Sequence, residues 1–180
     1  LISYVCGNFL AGQYRIIDQI IMVFRTYLQM FFNFIYADVC QKIFQNPQKG
    51  LQSWKFANGL NYIFILLLLT LFYFNTTSIL TFFKVNTTNI HDLIYYFKLG
   101  LLIPVFMSIT FALKQLLFSF EENKKYIKIT ILTTILNLVL MYLLLNSIGL
   151  KGSFITILII EIIIIISYIA VLKKHFKLNK

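Results

Sequence analysis

The segment "GQYRIIDQIIMVFRTYLQMF", Gly12 to Phe31, has the apolar content of a membrane helix yet carries Arg15, Asp18, Arg25 and Gln29. Charge is costly in hydrocarbon, and ionisable side chains there face a bundle interior or a water-filled cavity. At ~100° of rotation per helical residue, Asp18, Met22, Arg25, Gln29, Asn33 and Tyr36 share one stripe about 80° wide, with Arg15 at its edge. Ile20, Ile21, Phe24, Leu28 and Phe32 occupy the other faces. Two roles stand open for Arg25. It neutralises Asp18 two turns away, or a neighbour's carboxylate. Alternatively it lines a polar cavity, where its planar set of donors can hold an anionic group.

Three further segments carry chemistry-capable residues. The stretch "DLIYYFKLGLLIPVFMSITFALKQLLFSF" holds Lys98 and Lys114 near its two ends, and either can extend its charge to an interface. Pro104 lies between them; it removes a backbone hydrogen bond and crowds the preceding turn, so a helix bend is expected there. On the next helix Thr130, Thr133, Thr134, Asn137 and Met141 fall on one face, suited to interhelical hydrogen bonding. In "ITILIIEIIIIISYIAV" a single carboxyl, Glu161, stands among isoleucines. A carboxylate in that setting needs a nearby cation or a proton, so Glu161 is a candidate coupling group or a structural hydrogen-bond donor. Asp18 is the other coupling candidate. His91 and His175 lie at opposite ends of the expected topology, and no metal-ligand spacing, phosphate loop or nucleophile–base pairing is present, so no metal and no cofactor are expected.

These residues must be positioned by membrane helices. The chain of 180 residues is 59% hydrophobic and only 12% charged, where a soluble domain carries roughly a quarter charged residues. Several apolar runs approach the ~20 residues needed to cross a bilayer. The fold class expected is all-α, a polytopic transmembrane bundle. A β-barrel is disfavoured because the runs lack period-two alternation. Five spans are expected, at about 14–36, 58–80, 93–118, 126–146 and 153–172, with residues 1–10 ending an earlier span and 173–180 forming a basic tail. "LISYVCGNFL" lacks the basic start of a signal peptide, and the chain reads as the C-terminal part of a longer transporter. Abundant Ile, Phe, Tyr, Asn and Lys are what A/T-rich codons encode, which suits a bacterial genome.

Lysine placement gives the expected orientation. Lys42, Lys49, Lys55, Lys124, Lys125, Lys128, Lys173, Lys174, Lys177 and Lys180 fall on one side, against Arg15, Lys84 and Lys151 on the other. The C-terminus is therefore expected in the cytoplasm. This bias absorbs most of the +10 net charge by apposition to anionic membrane lipids, with no need for nucleic acid. Cys6 and Cys40 flank the first span and are not expected to pair. Asn75 and Asn86 each begin an Asn-Thr-Thr triplet and are taken as ordinary loop residues.

The order of features resembles the C-terminal half of the polysaccharide transport family, the O-antigen and lipid-linked oligosaccharide flippases related to the multidrug and toxin extrusion (MATE) fold. The resemblance is carried by "AGQYRIIDQI", by the segment from His91 to Leu145 with its basic turn "EENKKYIK", and by "NSIGLKGSFITILIIEIIIIISYIAVLKKH" with its Gly149-x-x-Gly152 turn. The sequence departs from the pattern in "GSFIT", where a Gly-Ala-Ala-like start is usual, and in lacking a Pro after "FIYADVC". The resemblance implies half of a MATE-like twelve-helix flippase in the bacterial inner membrane. Its substrate would be an undecaprenyl-pyrophosphate-linked oligosaccharide such as an O-antigen unit, moved by alternating access. In that frame Arg25 and Lys98 attract pyrophosphate, while Gln29, Asn33 and Tyr36 offer hydrogen bonds to sugar. Other polysaccharide-assembly membrane proteins would be partners. A MATE-like small-molecule exporter and a membrane glycan polymerase or ligase are the competing classes; the first calls for an acidic lumen and the second for a sizeable outer loop.

Overall fold

The computed structural model describes residues 2–83 and 90–177; Lys84, Asn86 and Lys180 of the sequence reading lie outside them. Those residues are all-helical, without a strand: α1 (Ile2–Gln45), α2 (Pro47–Phe74), α3 (Thr76–Phe82), α4 (Ile90–Gly100), α5 (Leu102–Ser119), α6 (Asn123–Ile148) and α7 (Leu150–Lys177). Five of the helical stretches are long and apolar enough to cross a bilayer, with α4 and α5 together making one of them. This is the architecture of a multi-pass membrane helix bundle.

The boundaries differ from the sequence reading where polar residues were taken for loops. Residues 2–10 and the first span belong to one long helix, interrupted at Gly7 (φ 85°). The lysine-bearing stretch after Tyr36 is helical as well. It turns at Asn46, whose side chain accepts from the backbone N–H groups of Gln48 and Lys49 while Pro47 occupies the first turn of α2. An Asn cap followed by Pro starts a helix efficiently, so a two-helix hairpin replaces a long loop.

Pro104 produces its effect one turn upstream. Without an N–H it cannot donate to the Gly100 carbonyl, and its ring crowds that carbonyl; the helix is interrupted at Leu101, between α4 and α5. Gly100 sits where three helices converge. A Cβ there would lie 2.9 Å from Ile17 Cγ2 on α1 and 3.4 Å from Phe154 Cε1 on α7. At the α6–α7 turn Gly149 adopts φ 62°, ψ −145°, a conformation that L-residues avoid. Gly152 then packs against the Leu144 carbonyl.

The α4–α5 span is the centre of the bundle, with half of its apolar window buried, against 6% for α6. Helix α5 packs on α1, α2 and α7, while α6 packs chiefly on α7. Apolar side chains form two layers. One contains Ile17, Phe24, Phe97, Ile103, Met107 and Phe154. The other, toward the lysine-rich end, contains Val39, Ile43, Leu116, Leu117, Tyr168 and Leu172. Where lipid and protein are equally apolar, helix pairing relies on packing and on interhelical hydrogen bonds. Tyr27 Oη donates to Asn61 Oδ1 (2.9 Å), Trp54 Nε1 to the Ala112 carbonyl (2.9 Å), and Asn58 Nδ2 to Gln115 Oε1 (2.8 Å). These pins join α1 to α2 and α2 to α5.

Candidate functional site: a charged cavity at mid-depth

A cavity of about 350 Å³ opens between α1, α5, α6 and α7. Asp18 and Arg25 reach it from α1, Met107 from α5, Asn137 from α6 and Glu161 from α7. Glu161 lies eleven residues into α7 from Leu150, roughly 16 Å at 1.5 Å per residue, which is near the middle of a ~30 Å hydrocarbon core. The α1 stripe therefore delivers its two oppositely charged groups to the place where water is scarcest. Asp18 to Arg25 is two helical turns, so the pair lines the cavity wall.

The charges balance in an unexpected way. Arg25 interacts electrostatically with both Asp18 and Glu161, but among the described residues it forms a direct ion pair with neither. Glu161 Oε2 instead accepts from Thr110 Oγ1 at 2.6 Å, which fixes the carboxyl from α5. One cation thus shares the cavity with two carboxyl groups. Asn137 contributes a buried Oδ1 that has no hydrogen-bond partner among the described residues. A buried acceptor left open costs ~1–3 kcal/mol, so the cavity presents a donor-seeking group next to its ions.

The remaining sequence candidates separate. Gln29 Nε2 donates to Asn33 Oδ1 at 3.1 Å, linking these two amides along the α1 surface. Tyr36 stacks on Phe32 (5.5 Å between centroids, 7° between planes) and lines a second, more open space. Lys98 is not among the cavity walls: its Nζ rests 4.4 Å from the centre of the Tyr73 ring. Of the α6 threonines, Thr130 shares a side-chain hydrogen bond with Tyr168 on α7, and all three also bond locally. Thr130, Thr133 and Thr134 donate to the carbonyls of Tyr126, Ile129 and Thr130 in their own helix, the local option always open to threonine. Asn137 and Met141 of the same face reach the cavity.

The second space, about 670 Å³, lies at the lysine-rich end between the C-terminal part of α1 and the α5–α6 turn. Tyr36, Cys40, Phe118, Glu122, Lys124 and Lys125 are among its walls. Glu122 is the hub of this end. Its carboxylate accepts from Lys125 (3.1 Å) and Lys174, and lies 2.9 Å from His175 Nε2. Hydrogen bonds from Lys174 and His175 hold the Glu122 carboxyl down to about 2, against the effect of burial, with Lys125 adding to the depression. Phe120 stacks on the His175 ring at 4.5 Å. Sequence reasoning missed both this clamp and the surroundings of Lys114. The only available signal was the run of lysines flanking two adjacent glutamates, and it does not specify a distant helix end.

Compared with protein-family models, curated proteins and solved structures, the chain gives no significant match.

Proposed function

We propose that this chain forms half of the transport path of a flippase that moves an undecaprenyl-pyrophosphate-linked oligosaccharide across the bacterial inner membrane, with the lysine-rich end in the cytoplasm. The observation that supports a transport role best is the mid-depth cavity joining Arg25, Asp18, Asn137 and Glu161 from three helices. A polar head crossing a low-dielectric slab requires such a place, and fixed charges there replace lost hydration. The MATE-like architecture belongs to the same reading, and rocking of two helical halves is the motion it implies. Open acceptors and partly exposed donors suit a substrate that must also leave.

The test is lipid-linked glycan export in cells carrying the full-length protein with Arg25→Ala or Arg25→Lys at equal protein level. Arg25→Ala should lower export at least about tenfold, equivalent to ~1.4 kcal/mol; normal export would refute the role of this guanidinium. One observation favours a second reading. Two carboxylates face one cation, which suits a small organic cation better than a pyrophosphate. If that exporter reading is right, Glu161→Gln abolishes efflux of a dye such as ethidium, and glycan export is indifferent to Arg25→Ala.

A further inference from the structure

An ammonium group in hydrocarbon is ordinarily matched by a carboxylate or carried to the interface on its flexible stem. Lys114 is arranged differently. Its Nζ lies 5.2 Å from the centre of the Phe32 ring, 5.3 Å from Tyr126, 5.5 Å from Phe118 and 5.6 Å from Phe111. Among the described residues no carboxylate pairs with it, and the candidates are engaged elsewhere. Glu122 is held by Lys125, Lys174 and His175, Asp38 by Lys42, and Glu161 by Thr110; Glu121 is exposed at the turn. Ring faces stabilise a cation, but they leave its three N–H donors without oxygen acceptors. The group is partly sheltered from water and has no hydrogen-bond acceptor among the described residues.

Lys114 lies between the two spaces described above, the open one at the lysine-rich end (the vestibule) and the central cavity, without being among the walls of either. Phe118 is both a wall of the vestibule and a ring of the cage, and Tyr36 of the vestibule contacts Phe32 and Phe118 of the cage. In the other direction, Lys114 stands one turn from Thr110, which donates to Glu161 of the central cavity. Lys124 and Lys125 at the vestibule, Lys114 in the cage and Arg25 in the cavity thus follow one another in depth.

We propose that Lys114 is an anion-binding station between the vestibule and the central cavity, taking the phosphate or pyrophosphate group of a substrate or of a lipid headgroup. Its use as a step in translocation rests on the transport reading above; the binding itself does not. An anionic oxygen offers what the rings cannot, a strong acceptor for each N–H, so an arriving phosphate displaces ring contacts without breaking an ion pair.

The experiment uses the full-length protein in neutral detergent, titrated calorimetrically with inorganic pyrophosphate. Wild type should bind it saturably, Lys114→Gln at least about tenfold more weakly, and Lys114→Arg close to wild type. Absence of saturable binding by wild type, or equal binding by Lys114→Gln, overturns the proposal. Phe118→Leu guards against a packing artefact: it removes a ring and keeps the cation, so pyrophosphate should bind at least as tightly as to wild type. Loss of binding in Phe118→Leu equal to that of Lys114→Gln would overturn the assignment to the ammonium. A second arm repeats the titration in phosphatidylcholine nanodiscs with and without phosphatidic acid. Competition by phosphatidic acid supports a headgroup as the source of the phosphate, and its absence supports a substrate-borne one. If pyrophosphate binds through Lys114 while glycan export persists in cells lacking the protein, the flippase reading fails and the anion station stands.

Discussion

Neutralising Glu122 tests whether the α5–α6 turn is clamped electrostatically to the end of α7. Glu122→Gln keeps the shape and an acceptor oxygen and removes only the charge. An upper limit follows from the depressed carboxyl. The interval from the ordinary 4.5 to about 2 corresponds to about 3 kcal/mol at ~1.4 kcal/mol per pH unit. Solvent screening reduces it, because the lysine partners are about half exposed, 47% for Lys125 and 54% for Lys174, although Glu122 itself is 11% exposed. Exposed pairs contribute about 0–1 kcal/mol each, so the expected loss is about 1–2 kcal/mol at neutral pH. The assay is reversible unfolding of the full-length protein in mixed detergent micelles. The sign with pH is fixed by linkage. A carboxyl lowered in the folded state contributes fully above its unfolded value, and the contribution is lost as pH falls through the folded value. The gap between wild type and Glu122→Gln should therefore be complete above 4.5 and close toward about 2. A variant as stable as wild type at neutral pH, or a gap unchanged at the acid end, would refute the clamp.

Two further outcomes concern the fold. Gly149→Ala should cost about 1–3 kcal/mol from backbone strain alone, because a Cβ there meets open space, whereas Gly152→Ala should cost more than an ordinary helix substitution because its Cβ meets the Leu144 backbone; equal stability of both variants with wild type in the same unfolding assay would contradict the turn geometry. A double-mutant cycle on Asn58→Ala and Gln115→Ala should give a coupling of about 0.6 kcal/mol, at most about 1.7, and a coupling indistinguishable from zero would remove this hydrogen bond as an α2–α5 pin.

The membrane-helix character of the chain was legible because hydropathy reports directly on the solvent a segment can tolerate. The helix ends were less so. The stretch around Lys42 and Lys49 looks like a loop by charge, yet Asn46 and Pro47 supply a cap and a first turn that make it a hairpin. Pro104 marked a bend, but its place at Leu101 depends on which carbonyl the ring crowds. The α1 stripe was read as a set of residues sharing a face; a single helix cannot tell how far down that face a neighbour covers it. Gln29 and Asn33 bond to each other, while Asp18 and Arg25 line a cavity that α7 also lines. Glu161 approaching Arg25, and four rings closing on Lys114, are tertiary events between segments far apart in sequence, with no local pattern to announce them.

The charge sequence along the bundle constrains any anionic passenger. At the lysine-rich end Glu122 already consumes Lys125, Lys174 and His175, so the cations there hold the turn as much as they attract a ligand. Lys114 is different, since its partners are rings and an anion gains an ion pair without breaking one. At mid-depth the gain shrinks again, because Arg25 is shared with Asp18 and Glu161. Attraction is therefore strongest before the cavity and weaker within it. That profile suits passage better than storage: a tight site at mid-depth would hold a pyrophosphate where no water waits to replace the protein's donors.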